Sequence, residues 1–336
     1  MIIILRIQFD RRMVYEKHLR DMWEPMVIAY LSDEVSDGEI AAAVGVGRRA
    51  KDVFARLISE YLANLRGEEH DKLVALVGPT GLTRHELDAL RTEAPWRRAV
   101  AATRLGLMGD NQATPALRTA LYDNSPVVQV ACADALAALE DMDSLEPVVG
   151  VLLTQTEWNR LKTAEILVAY AKMEPARILP FVFDTSISAS RRALLVEALG
   201  DVNYREAETA LIDYARQDIE PELEAAVVKY AGLITALEAV DFLMEETKED
   251  NWLIRSQAAK SLGKIADPAA VSALVGLTRD PVWWVRYQSA TALANILPEG
   301  LLALEEVAKA APDRFARDIA DQALYEAGEE WQERVA

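Results

Sequence analysis

Arg98, Gln129, Arg160, Arg192, Glu224, Arg255 and Arg286 recur at intervals of 31 or 32 residues in a 336-residue chain. Four residues after each marker stand Ala102, Ala133, Ala164, Val196, Val228, Ala259 and Ala290, and seven after it stand Leu105, Leu136, Leu167, Leu199, Ala231, Leu262 and Leu293. Spacings of four and seven place all three columns on one helical face. The next column is Gly106, Ala137, Val168, Gly200, Gly232, Gly263 and Ala294, mostly small, which lets a neighbouring helix come close. A fixed period of this length is the signature of an array in which no unit can hide its apolar face alone and stacking completes each core.

A second apolar column, 19 residues after the marker, reads Leu117, Val148, Leu179, Leu211, Leu243 and Leu274. Turn residues separate the two columns at Gly109-Asp110, Asp141, Asp201 and Asp267-Pro268, and Pro95, Pro126 and Pro221 stand where a first helical turn tolerates a missing N–H. Each unit therefore reads as two helices of roughly 11–13 residues, the usual helix length. No segment alternates with period two. The expected fold is an all-α solenoid of helical hairpins wound as a right-handed superhelix, with no β-sheet. Its predicted parts are an apolar and basic stub over 1–12, a divergent helical cap over 13–94, seven repeats over 95–311, and a capping helix with a polar tail over 312–336. Within the cap, helices are expected at Met13–Leu31, Gly47–Leu65, His70–Val77 and Thr83–Thr92, broken at Gly78-Pro79-Thr80-Gly81.

Composition narrows the function. The net charge is −18, and phosphate attracts the opposite sign of surface, which argues against a nucleic-acid partner. With Cys132 the single cysteine, neither a disulfide framework nor an all-cysteine zinc site can form. Met1 to Leu5 is apolar, and Arg6, Arg11, Arg12, Lys17 and Arg20 follow. That stretch is too short to span a bilayer. Its pattern is shared by a solvated helix start and by the cytoplasmic flank of a membrane anchor, so peripheral or anchored membrane association stands beside a plain cytoplasmic location.

Asp280-Pro281-Val282-Trp283-Trp284-Val285-Arg286, followed by Ala290 and Leu293 and preceded by Gly263 and Asp267-Pro268, resembles the short HEAT repeats of the phycobilin-lyase type in bacterial proteins. More narrowly, Trp283 to Tyr287, Asp313 to Asp318 and the basic start at Arg11-Arg12 resemble membrane-anchored HEAT-repeat proteins that accompany glycosyltransferases of surface polysaccharide synthesis. The first resemblance implies a solenoid and leaves activity open, because folds and functions separate. The second implies a helper of a polysaccharide-synthesis complex at the inner membrane. A small-ligand or chromophore-handling protein is the alternative that the lyase resemblance implies.

No catalytic constellation is readable. HEAT-repeat hydroxylases gather His-Glu pairs from successive repeats around two metals, whereas here only His85-Glu86 has that form and it lies outside the regular array. One pair is too few ligands, and His85 is expected on a helix surface. Cys132 sits among Val130, Ala131 and Ala133 with no base near it in sequence, as a buried small hydrophobe would. Gly45-Val46-Gly47 follows no strand and is no phosphate loop. No metal, cofactor or catalytic residue is expected.

A protein partner is the remaining expectation. Trp96, Trp158, Trp252, Trp283 and Trp284 all stand two or three residues before a marker, and tryptophan with arginine is the composition of binding hot spots. An indole in that place also covers a joint between repeats. Trp283 and Trp284, adjacent in sequence, should diverge by about 100° on a helix, so that both resist burial. They form the leading candidate contact, with Arg286, Trp252, Arg255, Trp158 and Trp96 behind them. Arg255 and Arg286 are expected to pair with Asp250 and Asp280 of the preceding turns. Residues 201–250 carry 14 acidic and 4 basic side chains. Glu238, Asp241, Glu245, Glu246, Glu249 and Asp250 there read either as a solvated face or as a docking patch for a basic segment of a protein.

Overall fold

The computed structural model describes residues 2–153, 159–217 and 219–335, with 20 α-helices and six 3-10 turns and no strand among them. The chain divides into two compact units, Met1–Ala169 and Tyr170–Ala336.

The first unit opens with α1 Ile2–Leu31, α2 Asp37–Val44, α3 Arg48–Asn64, α4 Glu68–Thr80 and α5 Leu82–Ala89. Trp23 and Phe54 meet edge to face at 5.3 Å, with Val27, Ile40, Val44, Leu57, Ile58, Leu62 and Leu73 buried around them. Helix α2 was not anticipated. Ser36 caps it, its hydroxyl accepting from the Glu39 N–H while Glu39 accepts from the Ser36 N–H, a reciprocal box that fixes a helix start. The expected four-residue break after Val77 shrinks to one residue: α4 continues through Pro79 to Thr80, and Gly81 alone turns the chain with φ +66°. Repeat hairpins follow: α6 Pro95–Met108 with α7 Thr114–Ala120, and α8 Pro126–Ala138 with α9 Leu145–Leu152.

The division between the units falls within α10 Arg160–Met173. The second unit continues with α11 Leu179–Val182, α12 Ala189–Asp201, α13 Glu208–Ala215, α14 Pro221–Leu233, α15 Val240–Glu246, α16 Trp252–Ile265, α17 Val271–Leu277, α18 Trp283–Asn295, α19 Glu299–Ala310 and α20 Arg314–Val335. The first helices, of 13 or 14 residues, lie at the upper end of the expected length or one residue beyond it. Apart from α19, with 12 residues, the second helices do not: α7, α9, α11, α13, α15 and α17 have only four to eight residues. Each is entered through a 3-10 turn, as at Pro268–Ala270, which uses up residues that the periodicity assigned to helix.

The predicted columns form the core. Leu105, Leu136, Leu199, Ala231, Leu262 and Leu293 are fully buried, as are Leu117, Val148, Leu211, Leu243 and Leu274. The exception is Leu179, half-buried, where Ile178 takes the core position before the four-residue α11. The small column also has its anticipated use. A Cβ on Gly263 would stand 2.6 Å from the Ala292 Cα, and one on Gly232 2.7 Å from the Ser261 Cα, so successive first helices touch backbone to backbone. Ser261 exploits the approach, its hydroxyl donating to the Val228 carbonyl at 2.8 Å.

Candidate functional site

The marker arginines face forward along the chain. Arg255 donates Nε and Nη2 to the Asp280 carboxylate at 2.7 and 3.0 Å, while its Nη1 takes the Glu249 and Asp250 carbonyls at 2.7 and 2.8 Å. Arg286 pairs with Asp313 at 3.1 Å and donates to the Asp280 carbonyl. The expected pairs with Asp250 and Asp280 side chains are thus corrected: those residues contribute main-chain carbonyls, and the carboxylate comes from the next joint. A rigid five-donor fork can hold two turns at once. Within the first unit Arg98 repeats the pattern, holding the Thr92 and Glu93 carbonyls and the Asp123 carboxylate. Each acceptor aspartate also caps its own joint, Asp123 taking the Ser125 N–H, Asp280 the Val282 N–H and Asp313 the Phe315 N–H.

These rungs carry a pH signature. The Arg98 hydrogen bonds hold the Asp123 carboxyl below its ordinary 3.8, a shift that burial opposes. A carboxyl lowered in the folded state contributes stability above its unfolded pKa and loses it as pH falls through the folded value. Thermal melts between pH 6 and 2 are therefore expected to show stability falling below about pH 4, less steeply in Asp123→Asn. Equal slopes for the two proteins would remove Asp123 from that account.

One rung is inverted. Glu224 stands in the marker column, and the residue 25 positions on, where Arg255 finds Asp280, is Glu249. Glu246 closes on them from the last turn of α15, and the three carboxylates bring one oxygen each within 4.8 Å of one another. Of the proposed acidic patch, Glu238, Asp241, Glu245, Glu249 and Asp250 are exposed. Glu246 departs from that solvated face, being only 7% exposed. Burial first, then the neighbouring Glu224 carboxyl, push it up to about 8.

Two of the five aromatic candidates stand together. The Trp283 and Trp284 rings stack at 5.2 Å instead of diverging, because Tyr287, one turn on, receives both at 5.4 and 5.5 Å. Side-chain torsions overcome the angular offset of adjacent positions. Trp283 is 57% exposed and Trp284 47%. Arg286 lies 5.4 Å over the exposed Phe315 ring. Trp252 opens α16 and is about one third exposed, Trp96 opens α6 and is more exposed still, and Trp158 lies outside the described residues.

In the first unit Trp96 borders a cleft that sequence spacing did not reveal, lined by Arg48, Arg56, Arg97, Arg104, His85 and Glu86. His85 is not on an open helix surface. Its Nε2 meets the Asp52 carboxylate at 2.8 Å, and Glu86 is buried against Arg104 at 2.9 Å. Both partners come from other helices, α3 and α6, which no local pattern could indicate. Cys132 is fully buried, and burial pushes its thiol up to about 12, the reverse of what a nucleophile needs.

The family model for HEAT repeats matches residues 84–169 and 240–325, just over half of the sequence, and the chain belongs to that family. No curated protein matches it in sequence. Among solved structures, it is similar to a mutant of Kap121p at TM-score 0.52 and 15% identity, over 92% of this chain and 42% of that one. It is similar at TM-score 0.51 and 13% identity to the karyopherin Kap121p bound to the extreme C-terminus of the protein phosphatase Cdc14p, over 83% and 38%. Human deoxyhypusine hydroxylase is similar at TM-score 0.33 and 20% identity, over 73% and 96%. The chain thus spans well under half the length of the karyopherins, and the likeness is one of fold. Residues 170–239, between the two matched stretches, form hairpins of the same kind.

Proposed function

We propose that the chain is a non-catalytic scaffold that docks a protein through the Trp283, Trp284 and Tyr287 platform. The observation that carries this reading is the aromatic stack on the first turns of α18, in which Trp283 and Trp284 are exposed and Tyr287 is half-buried, with Arg286 on the same turns. Aromatic rings with arginine supply large contact area at little entropic cost, the composition of interface anchors. The exposed acids Glu238, Asp241, Glu245, Glu249 and Asp250 suit a partner bearing a basic segment, which they would draw in fastest at low salt. The karyopherin bound to a phosphatase C-terminus supports a protein as the partner class.

The resemblance to anchored HEAT-repeat proteins supports a place at the inner face of a cytoplasmic membrane, beside a polysaccharide-synthesis complex. Among the described residues no helix is long and apolar enough to cross a membrane. The test is a cross-linking pull-down with the full chain and its Trp283→Ala/Trp284→Ala variant, both checked for helical content. Partners recovered by the parent should drop by roughly tenfold or more in the variant, as expected for anchor residues worth about 2 kcal/mol together or more. Equal recovery would show that the platform is not the docking site.

A further inference from the structure

The cleft of the first unit reverses the sign of the chain around it. Against a net charge of −18, its lining sets four arginines, Arg48, Arg56, Arg97 and Arg104, beside two acids, Asp52 and Glu86. Helical spacing on elements that pack together produces the arrangement. Arg48, Asp52 and Arg56 stand at four-residue intervals on α3, and Trp96, Val100 and Arg104 do the same on α6, so each set shares one face. Helix α5 packs against both and adds His85 and Glu86.

Both acids are already engaged. Glu86 is buried and accepts from Arg104 Nη1 at 2.9 Å, and Asp52 meets His85 Nε2 at 2.8 Å. The His85 hydrogen bond chiefly holds the Asp52 carboxyl below its ordinary 3.8, and the charges of Arg104 and Arg97 add to the effect, so both guanidiniums act on one place. Arg56 pairs with Glu16 at 3.2 Å. Arg48 and Arg97 form no ion pair among the described residues, and Arg97 lies instead 5.3 Å over the Trp96 ring. Arg104 has four further donors in its fork beyond the one given to Glu86. Trp96 and Val100 supply an exposed apolar border to this cationic space.

We propose that the cleft binds an oxyanion side chain of a protein segment, a phosphate monoester or a carboxylate, held by Arg48, Arg97 and Arg104 while the neighbouring residue of that segment rests on Trp96. Guanidinium forks match both oxyanions, and clusters of arginine recognise phosphorylated and acidic motifs. An indole offers the adjoining residue a broad apolar face. The cavity of about 110 Å³ admits one such group, and it falls short of the about 300 Å³ at which a site encloses a whole small molecule. The rest of the ligand therefore stays outside, as a peptide chain would. A nucleic acid presents phosphates in a continuous row, which the acidic chain around the cleft would repel. This site prefers the opposite charge to the acids of the second unit and stands whether or not the Trp283 and Trp284 platform docks a partner.

Fluorescence anisotropy with the full chain tests the assignment, using three labelled peptides that differ only in a serine, a phosphoserine or a glutamate beside a tyrosine. At least one anionic peptide should bind saturably, roughly tenfold or more tightly than the serine peptide, and which one does so tells phosphate from carboxylate. Arg48→Ala and Arg97→Ala, at exposed positions where the fold is kept, should each weaken that binding by on the order of tenfold, and Trp96→Ala should weaken it as well. Arg279→Ala, which removes the same charge from an exposed position in the second unit, should leave it unchanged. The proposal is overturned if neither anionic peptide binds more tightly than the serine peptide, or if Arg48→Ala and Arg97→Ala weaken binding no more than Arg279→Ala does. It is overturned equally if a labelled oligonucleotide displaces both anionic peptides through the same arginines, which would make the partner a nucleic acid.

Discussion

Arg255→Ala is expected to lower the thermal midpoint of the second unit by roughly 10 °C, the equivalent of about 3–5 kcal/mol. The size follows from what the substitution leaves behind. Asp280 is only 7% exposed and receives two of the five donors of Arg255, and the carbonyls of Glu249 and Asp250 take two more. Removing the guanidinium strands a buried carboxylate and two main-chain acceptors, so the loss exceeds that of an exposed ion pair, typically below about 1 kcal/mol. Thermal melts of Arg255→Ala beside Arg314→Ala, whose pair with Asp318 is exposed, separate the two cases. A change at Arg255 no larger than that at Arg314 would mean that the rungs are ornamental.

Gly263→Leu should be the most damaging single substitution on the first helices, costing about 3 kcal/mol or more. Even a methyl group there would meet the Ala292 Cα and Cβ at 2.6 Å, and both belong to a helix held by its own packing. Leucine is a far better helix former than glycine, so propensity alone predicts a gain. The two effects have opposite signs, which makes the melt decisive: destabilisation shows that the helix-to-helix approach governs the position. Gly276→Leu, at a glycine whose Cβ would meet nothing within 4 Å, is the matched control and should be close to neutral or mildly stabilising.

The first helices were legible because their columns obey two regularities at once, the helical period along each element and the 31-residue period between them. Gly106, Gly200, Gly232 and Gly263 even declared the close approach. Every second helix before α19 was misjudged in length because a 3-10 turn keeps the same direction and spacing of apolar residues for a few positions, and Leu179 slipped by one where α11 is shortest. Helix α2 carried its start signal in Ser36 and Glu39, but eight residues outside the repeat give too little periodicity to notice. The site was harder. Arg255 lies five residues from Asp250 and 25 from Asp280, and nothing in sequence separation says that the farther partner wins; only the joint geometry does. The burial of Glu246 was hidden for a related reason, since its neighbours Glu245 and Glu249 face water. The stacking of Trp283 on Trp284 depends on torsions that a helical wheel does not contain.

Because Arg98, Arg255 and Arg286 each read their own joint and the one after it, these seams are written in a local code that such a module carries with it. Modules of this kind can be copied or deleted whole without rewriting their neighbours, whereas a single residue inserted in a joint throws both contacts of one arginine out of reach.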